Sequence, residues 1–503
     1  MRLSSDRTFR GRPNRQRSFA AFLACTAALV GGCMVGPDYQ SPGASSPDGW
    51  DSLPTGDSAG ISSRPVAGRP NIAAWWDQFD DPLLTSLITR ARVANLTLAQ
   101  AEARIREARA ATDIAASGLY PSIDGNASAT RARTPGAFAD RPASTNSLFV
   151  AGFDATWEID VFGGTRRGVE AANAQVQSTV FDRDTLLVSL CGEVAADYFD
   201  LRGAQRQLDI ARRNLTAQQQ TLDLTQERFD AGFVSALDVA NAKAQTTATA
   251  SQIPAFEAQA RSAIYAISLL LGQEPAALVA ELAPEAPLPN PPGTIPVGLP
   301  SDLLRRRPDI RRADADLHAA TALVGVAQAD FYPKFSLTGT FGTQGDTVVS
   351  LGTLANRFWA IGPAVSIPIF QGGRLTGTLE RQKAVADETL IAYKSTVLGA
   401  LRDVETALVN FTREQERRNL LVESVQANTQ AVTLSLELYS AGKTDFLNVL
   451  TAQRQLYLTE AALAASETAV ASDLVALYKA LGGGWDEAST GGVGGPTGAA
   501  AVP

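Results

Sequence analysis

The chain repeats itself, and no other feature restricts its fold so much. Residues 227–245 read ERFDAGFVSALDVANAKAQ, and residues 437–455 read ELYSAGKTDFLNVLTAQRQ, an offset of 210. Leu271-Gly272 meets Leu481-Gly482 at the same offset, IDVFGGTRR meets IPIFQGGRL at 208, and Tyr120-Pro121 meets Tyr332-Pro333 at 212. Two structural repeats of about 210 residues therefore cover most of the chain. Between them, PEAPLPNPPGTIPVGLP can be neither helix nor central strand, because proline fixes φ and removes a backbone donor.

Each repeat opens with a predicted helix, 96–117 in the first and 309–329 in the second, and a Tyr-Pro pair ends it. Alternating sequence follows. In FVAGFDATWEIDV, Phe149, Ala151, Phe153, Ala155, Trp157, Ile159 and Val161 fall on one face, and Gly152, Asp154, Thr156, Glu158 and Asp160 on the other. This period of two, over about ten residues, fits a transmembrane β-strand. The counterpart has Trp359, Ile361, Val365, Ile367 and Ile369, interrupted by Pro363 and Pro368. PSIDGNASATRAR and PKFSLTGTFGT supply one more strand before each, which makes four.

Proline-free runs come next, 166–228 and 374–440. As helices rising 1.5 Å per residue, each spans on the order of 90–100 Å. Leu187, Val194, Leu201, Leu208, Leu215, Leu222 and Phe229 recur every seven residues. The second repeat gives Val397, Val404, Phe411, Val425, Val432 and Tyr439, with Arg418 the exception. Val449, Leu456, Leu463, Val470 and Leu477 continue the device in a return arm. Strict heptads imply a left-handed supercoil. Short loops at Ala231-Gly232 and Ala441-Gly442 make each pair of arms an antiparallel hairpin.

Four alternating strands cannot close a barrel, for which about eight is the practical minimum. An open edge in lipid leaves backbone groups unsatisfied at several kcal/mol each. Three copies would provide twelve strands. The formal charge of −8, which becomes −13 once residues 1–32 with six Arg and one Asp are removed, excludes a nucleic-acid partner on electrostatic grounds.

The N-terminus reads as a secretory signal: five arginines from Arg7 to Arg17 precede the apolar SFAAFLACTAALVGG. Its small residues lead into Cys33, and Val30-Gly31-Gly32-Cys33 resembles a bacterial lipobox, whose cysteine is acylated. Met34 rather than Asp follows it, which points to the outer membrane. Cys25 leaves with the signal, so Cys191 stands alone, no intrachain disulfide is possible, and Cys191 is expected to pack within a helix.

MVGPDY after the lipobox, WWDQFDDPLL, LLRRRPDIRRADADL, YP, IFQGGR and AGKTDFLNVLTAQ together resemble the outer-membrane efflux factors of the TolC/NodT type, over roughly residues 33–485. The resemblance implies a mixed α and β fold. Three chains would share a twelve-stranded transmembrane β-barrel, four strands from each, continuous with a long periplasmic α-helical barrel. It implies an exit duct in the outer membrane for small molecules, working with a periplasmic adaptor (membrane fusion) protein and an inner-membrane transporter of the RND type. The partners are thus the homotrimer, these two proteins and outer-membrane lipid. A type I protein-secretion duct is the alternative.

The implied division is a lipoprotein signal at 1–32, a lipid-anchored and equatorial segment at 33–95, and a first repeat at 96–274. A proline-rich linker at 275–308, a second repeat at 309–482 and a disordered tail at 483–503 complete it. No catalytic residue, metal site or cofactor is expected. The single histidine, His318, lies among alanines, and Arg305–Arg307 before Pro308 reads as a helix start rather than an anion site. A pore-free periplasmic scaffold and an enzyme are the competing classes. The strands and GGR turns oppose the first, and the missing constellation opposes the second.

Cys33 is the expected lipidation site. The periplasmic tip and adaptor contact are assigned to Ala231, Gly232, Asp238, Ala441, Gly442 and Asp445. Gate candidates are Asp230, Asp238, Asp445, Asn448 and Thr451. In the family the second tip often carries pore-facing Asp, and the matching positions here are Asn448 and Thr451. Asp445 also stands where a helix N-cap would.

Overall fold

A computed structural model of the chain describes residues 34–43, 46–53, 63–68, 72–136 and 142–486. The first part of the chain gives β1 (Arg64–Val66), α1 (Pro82–Ala94), α2 (Leu96–Ser117), β2 (Ser122–Thr134) and β3 (Ser144–Ile159). Then come α3 (Gly164–Asp230), α4 (Ala236–Ala250), α5 (Ile253–Leu270), α6 (Val279–Leu282) and β4 (Thr294–Pro296). The second repeat runs α7 (Pro300–Arg306), α8 (Pro308–Ala329), β5 (Lys334–Gly345), β6 (Arg357–Ser366), α9 (Arg374–Ser440) and α10 (Phe446–Ala480). The two long helices, α3 and α9, have 67 residues each, and their bounds differ by 210.

Two compact units divide the fold, and each sequence repeat contributes to both. The first draws on the chain up to Pro42, on 106–177 and on 314–391. Its frame is a four-stranded antiparallel sheet in the order β2-β3-β5-β6. Among the described residues, the outer strands β2 and β6 each leave one edge unpaired.

The second unit takes the remainder and holds the main core. Trp75 stacks on Tyr478 with ring centroids 5.1 Å apart, and Phe79 lies against Phe199 at 5.1 Å. Leu84, Leu87, Ile88, Val194, Leu201, Val404, Phe411, Leu474 and Leu477 are fully buried around them. The WWDQFDDPLL segment thus plugs the junction of both repeats. Asp81 caps α1 by accepting from the Leu83 and Leu84 amides, and its other oxygen accepts from the Tyr198 hydroxyl at 2.6 Å. β1 and β4 pair in parallel and tie the proline-rich linker to the segment before the first repeat.

Two details depart from the sequence reading. The return arm of the first repeat is not one helix: α4 ends at Ala250, and α5 begins at Ile253 with Pro254 in its first turn. Proline cannot donate to the carbonyl four residues back. The second repeat has Ala464 at the equivalent place, and α10 runs unbroken for 35 residues. β6 stops at Ser366, short of Ile367 and Ile369, because Pro368 follows. Pro363 is accommodated opposite Leu337 because β6 is an edge strand. By length and composition, α10 is the one described helix apolar enough to cross a membrane. Its Leu474, Leu477 and Tyr478 are buried in the main core.

Candidate functional site

The sheet offers two unlike faces. Register places Phe153 opposite Phe341 and Phe341 opposite Trp359, a cross-strand aromatic row 60%, 55% and 73% exposed respectively. Adjacent rows on this face are Ala155–Gly339–Ile361, Trp157–Leu337–Pro363 and Ile159–Phe335–Val365. The opposite face carries Asp154–Thr340–Ala360, Thr156–Thr338–Gly362 and Glu158–Ser336–Ala364. A soluble protein rarely leaves such a continuous apolar surface in water. One face suits lipid and the other suits water.

The two loops joining the helical arms are built alike. In the first, Gly232 N–H donates to Phe229 O at 2.8 Å and Phe233 N–H to Arg228 O at 2.8 Å. In the second, Gly442 N–H donates to Tyr439 O at 2.9 Å and Lys443 N–H to Leu438 O at 2.8 Å. This pair of bonds closes a helix through a left-handed residue, and Gly232 and Gly442 supply it at φ 79° and 69°. Ala231 and Ala441 each complete the last turn, their N–H groups donating to Glu227 O and Glu437 O at 3.1 Å.

Asp238 and Asp230 have local partners. Asp238 joins Ser235 in a capping box at the start of α4: its carboxylate accepts from the Ser235 amide at 3.0 Å, and its own amide donates to Ser235 Oγ. Asp230 accepts from Gln226 Nε2 at 2.9 Å. Asp445 occupies the N-cap position of α10, yet its side chain makes no capping bond. Asn448 donates to Thr444 Oγ1 at 2.7 Å, and Thr451 Oγ1 donates to Leu447 O at 2.8 Å. Cys33 lies outside the described residues.

Sequence reasoning missed the clamp between the loops. Arg228, in the last turn of α3, donates to the Tyr439 carbonyl and lies 4.6 Å over the Tyr439 ring. Tyr439, Phe446, Val449 and Ala242 form a small buried cluster that unites the two hairpins. The signal was present: position 228 departs from the duplication, which has Leu438 in its place.

Other singled-out residues are structural. Arg307 donates to Ala480 O at 2.9 Å and pairs with Asp309 and Asp403, so it ties the end of α10 to the start of α8. Cys191 is fully buried, and burial pushes its thiol up to about 12. His318 Nε2 stands 3.0 Å from Glu170. Asp197 is raised to about 6 by burial and by Asp200 and Glu193, and Asp473 to about 6 by burial and by Glu414.

A sequence model of the family described as outer membrane efflux protein matches residues 87–273 and again 299–483. Nodulation protein T of Rhizobium leguminosarum bv. trifolii is 31% identical over 466 residues, 92% of this chain and 97% of that protein. The toluene efflux pump outer membrane protein TtgF of Pseudomonas putida is 32% identical over 477 residues, 93% of this chain and 97% of that protein. The outer-membrane channel OprN superposes with a TM-score of 0.83 at 37% identity, covering 90% of this chain and 100% of that one.

Proposed function

The chain belongs to the outer membrane efflux protein family, and from that premise we propose that three copies enclose one pore that passes small molecules outward. It is an outer-membrane efflux channel extending into the periplasm. The observation that carries the reading is the exposed apolar row Phe153–Phe341–Trp359 on a sheet whose two edges are both unpaired. Lipid satisfies the row, and pairing β6 of one copy with β2 of the next satisfies the edges. Three times four strands make a twelve-stranded barrel with the polar face inward, wide enough for water.

Several finer assignments rest on the same premise. The helical hairpins continue the duct into the periplasm, and their Gly232 and Gly442 loops meet a periplasmic adaptor coupled to an inner-membrane transporter of the RND type. Cys33 carries the lipid. The cargo is small molecules, in keeping with TtgF as part of a toluene efflux pump.

Cysteine crosslinking between β2 and β6 tests the barrel. With Ile123 and Ile361 replaced by Cys in one chain, oxidation should yield covalent trimers, and planar bilayers should show discrete conductance steps. Intrachain products alone, or a monomeric mass by light scattering in detergent, would overturn the shared barrel.

A further inference from the structure

Residues 34–41 hold more specific contacts than a connecting segment needs. Val35 N–H donates to Phe162 O at 3.1 Å, just before α3 begins. Arg167 lies beneath, its side chain 2% exposed. It donates to Val35 O at 3.3 Å, to Gly36 O at 3.4 Å, to Asp38 at 2.6 Å and to Glu170 at 2.7 Å. Tyr39 stacks on His318 with centroids 4.4 Å apart, and its hydroxyl donates to Asp314 at 2.7 Å. Ser41 Oγ donates to the same Asp314 oxygen at 2.6 Å. Glu170 joins the two halves, since it also stands 3.0 Å from His318 Nε2.

The seat is tight as well as polar. Gly36 has φ 98°, and a Cβ there would come within 2.4 Å of Gly325 Cα. A Cβ on Gly163 would meet Met34 Cγ at 2.5 Å, and one on Gly325 would meet Arg167 Cδ at 3.0 Å. The carbonyls of Val35 and Gly36 that face Arg167 find a charged donor, the stronger kind of hydrogen bond.

We propose that this segment is a strap whose docked state registers the lipid anchor to the first turn of α3. The proposal rests on the reading of Cys33 as the acylated residue. Only Met34 separates position 33 from the docked Val35, so an acyl anchor has at most about one residue of free chain, roughly 3.5 Å. Linkers of many residues would let an anchor wander; here Met34 lies against Gly163 and Val35 bonds to Phe162, directly after the anchored position. The lipid then sets the height at which the end of β3 and the start of α3 meet the leaflet surface, rather than only tethering the protein.

The test uses the full chain in detergent and in outer membranes. Hydrogen exchange at the Val35 amide should be slow in the parent protein. Asp38→Asn combined with Tyr39→Ala should speed it by about tenfold, since the buried Arg167 loses a charged partner and the stacking of Tyr39 on His318 is removed. Amides in α3 should be unchanged, and mass spectrometry should still find an acylated Cys33. A short Gly-Ser insert between Met34 and Val35 should retain acylation and Val35 protection but lower the rate at which heat-resistant trimers form. Fast exchange at Val35 in the parent protein overturns the docked strap. An insert that assembles at the parental rate overturns the registration. An unacylated Cys33 with a protected Val35 refutes the lipidation reading instead, while the docked strap stands.

Discussion

Arg228 ends one long helix while its guanidinium serves the other, through the Tyr439 carbonyl and ring. A charged hydrogen bond together with a cation–π contact contributes about 1–3 kcal/mol at a partly desolvated site. Arg228→Ala should therefore loosen one hairpin against the other and raise resting leak severalfold. Single-channel recording and uptake of a bulky antibiotic would measure it. An unchanged conductance and antibiotic uptake would refute the clamp. Two acids give a second prediction. Asp197 and Asp473 are both raised to about 6. Between about pH 4, the ordinary carboxylate range, and about pH 6, the folded chain keeps protons that the unfolded chain has released. Stability from these groups therefore falls as pH rises across that window. The melting temperature should be higher near pH 5 than near pH 7, and Asp197→Asn with Asp473→Asn should narrow the difference. Cys191 was legible as a packed residue because it stands four residues after Leu187 and three before Val194, on the side of the helix the heptad run marks. Arg167, Tyr39 and Asp314 were not legible as a group, since nothing in their spacing announces contacts across more than a hundred residues.

At the scale of elements, period and punctuation carried the reading. The helix 96–117 appears with both predicted ends, because Asn95 precedes it and accepts from the Leu98 amide at 3.0 Å, while Tyr-Pro follows closely behind. The alternation at 149–161 identified which side chains of β3 share a face, and register across β5 and β6 extends that face. The break between α4 and α5 was carried by Pro254 alone, and the strength of the repeat hid it. The loops make the sharpest prediction. Gly232 and Gly442 stand at positive φ, where a side chain costs about 1–2 kcal/mol and a β-branched one more. Gly442→Val should distort the second loop without touching the Val397–Phe411 stretch of the seam. Crosslinking to the cognate adaptor should fall while trimer yield holds. If Gly232→Val and Gly442→Val trimers both crosslink and support efflux at parental levels, the loops are not the docking surface.

The whole molecule is where one chain stops explaining itself. Leu187, Val194, Leu201 and Leu208 of the first heptad run are buried, whereas Leu215 and Leu222 are half-buried and Phe229 is exposed. The second run passes from Val397, Val404 and Phe411 to half-buried Val425 and Val432, and closes on Tyr439 in the buried cluster at the loops. A strict heptad asks for a partner along its full length, and in the trimer proposed above neighbouring copies would supply it. The same logic holds for the sheet and permits a test that separates folding from insertion. Phe341 and Thr340 are successive residues of β5 on opposite faces. Phe341→Arg puts a charge on the lipid side, where it costs about 2–4 kcal/mol near the bilayer midplane. Thr340→Arg puts the same charge on the water side. The first variant should accumulate as folded, helix-rich protein that fails to form heat-resistant trimers in the outer membrane. The second should assemble and change only conductance and ion preference. Their order is fixed by the pleat: if Thr340→Arg blocked insertion and Phe341→Arg did not, the sheet would face the other way, and lipid would lie against Asp154.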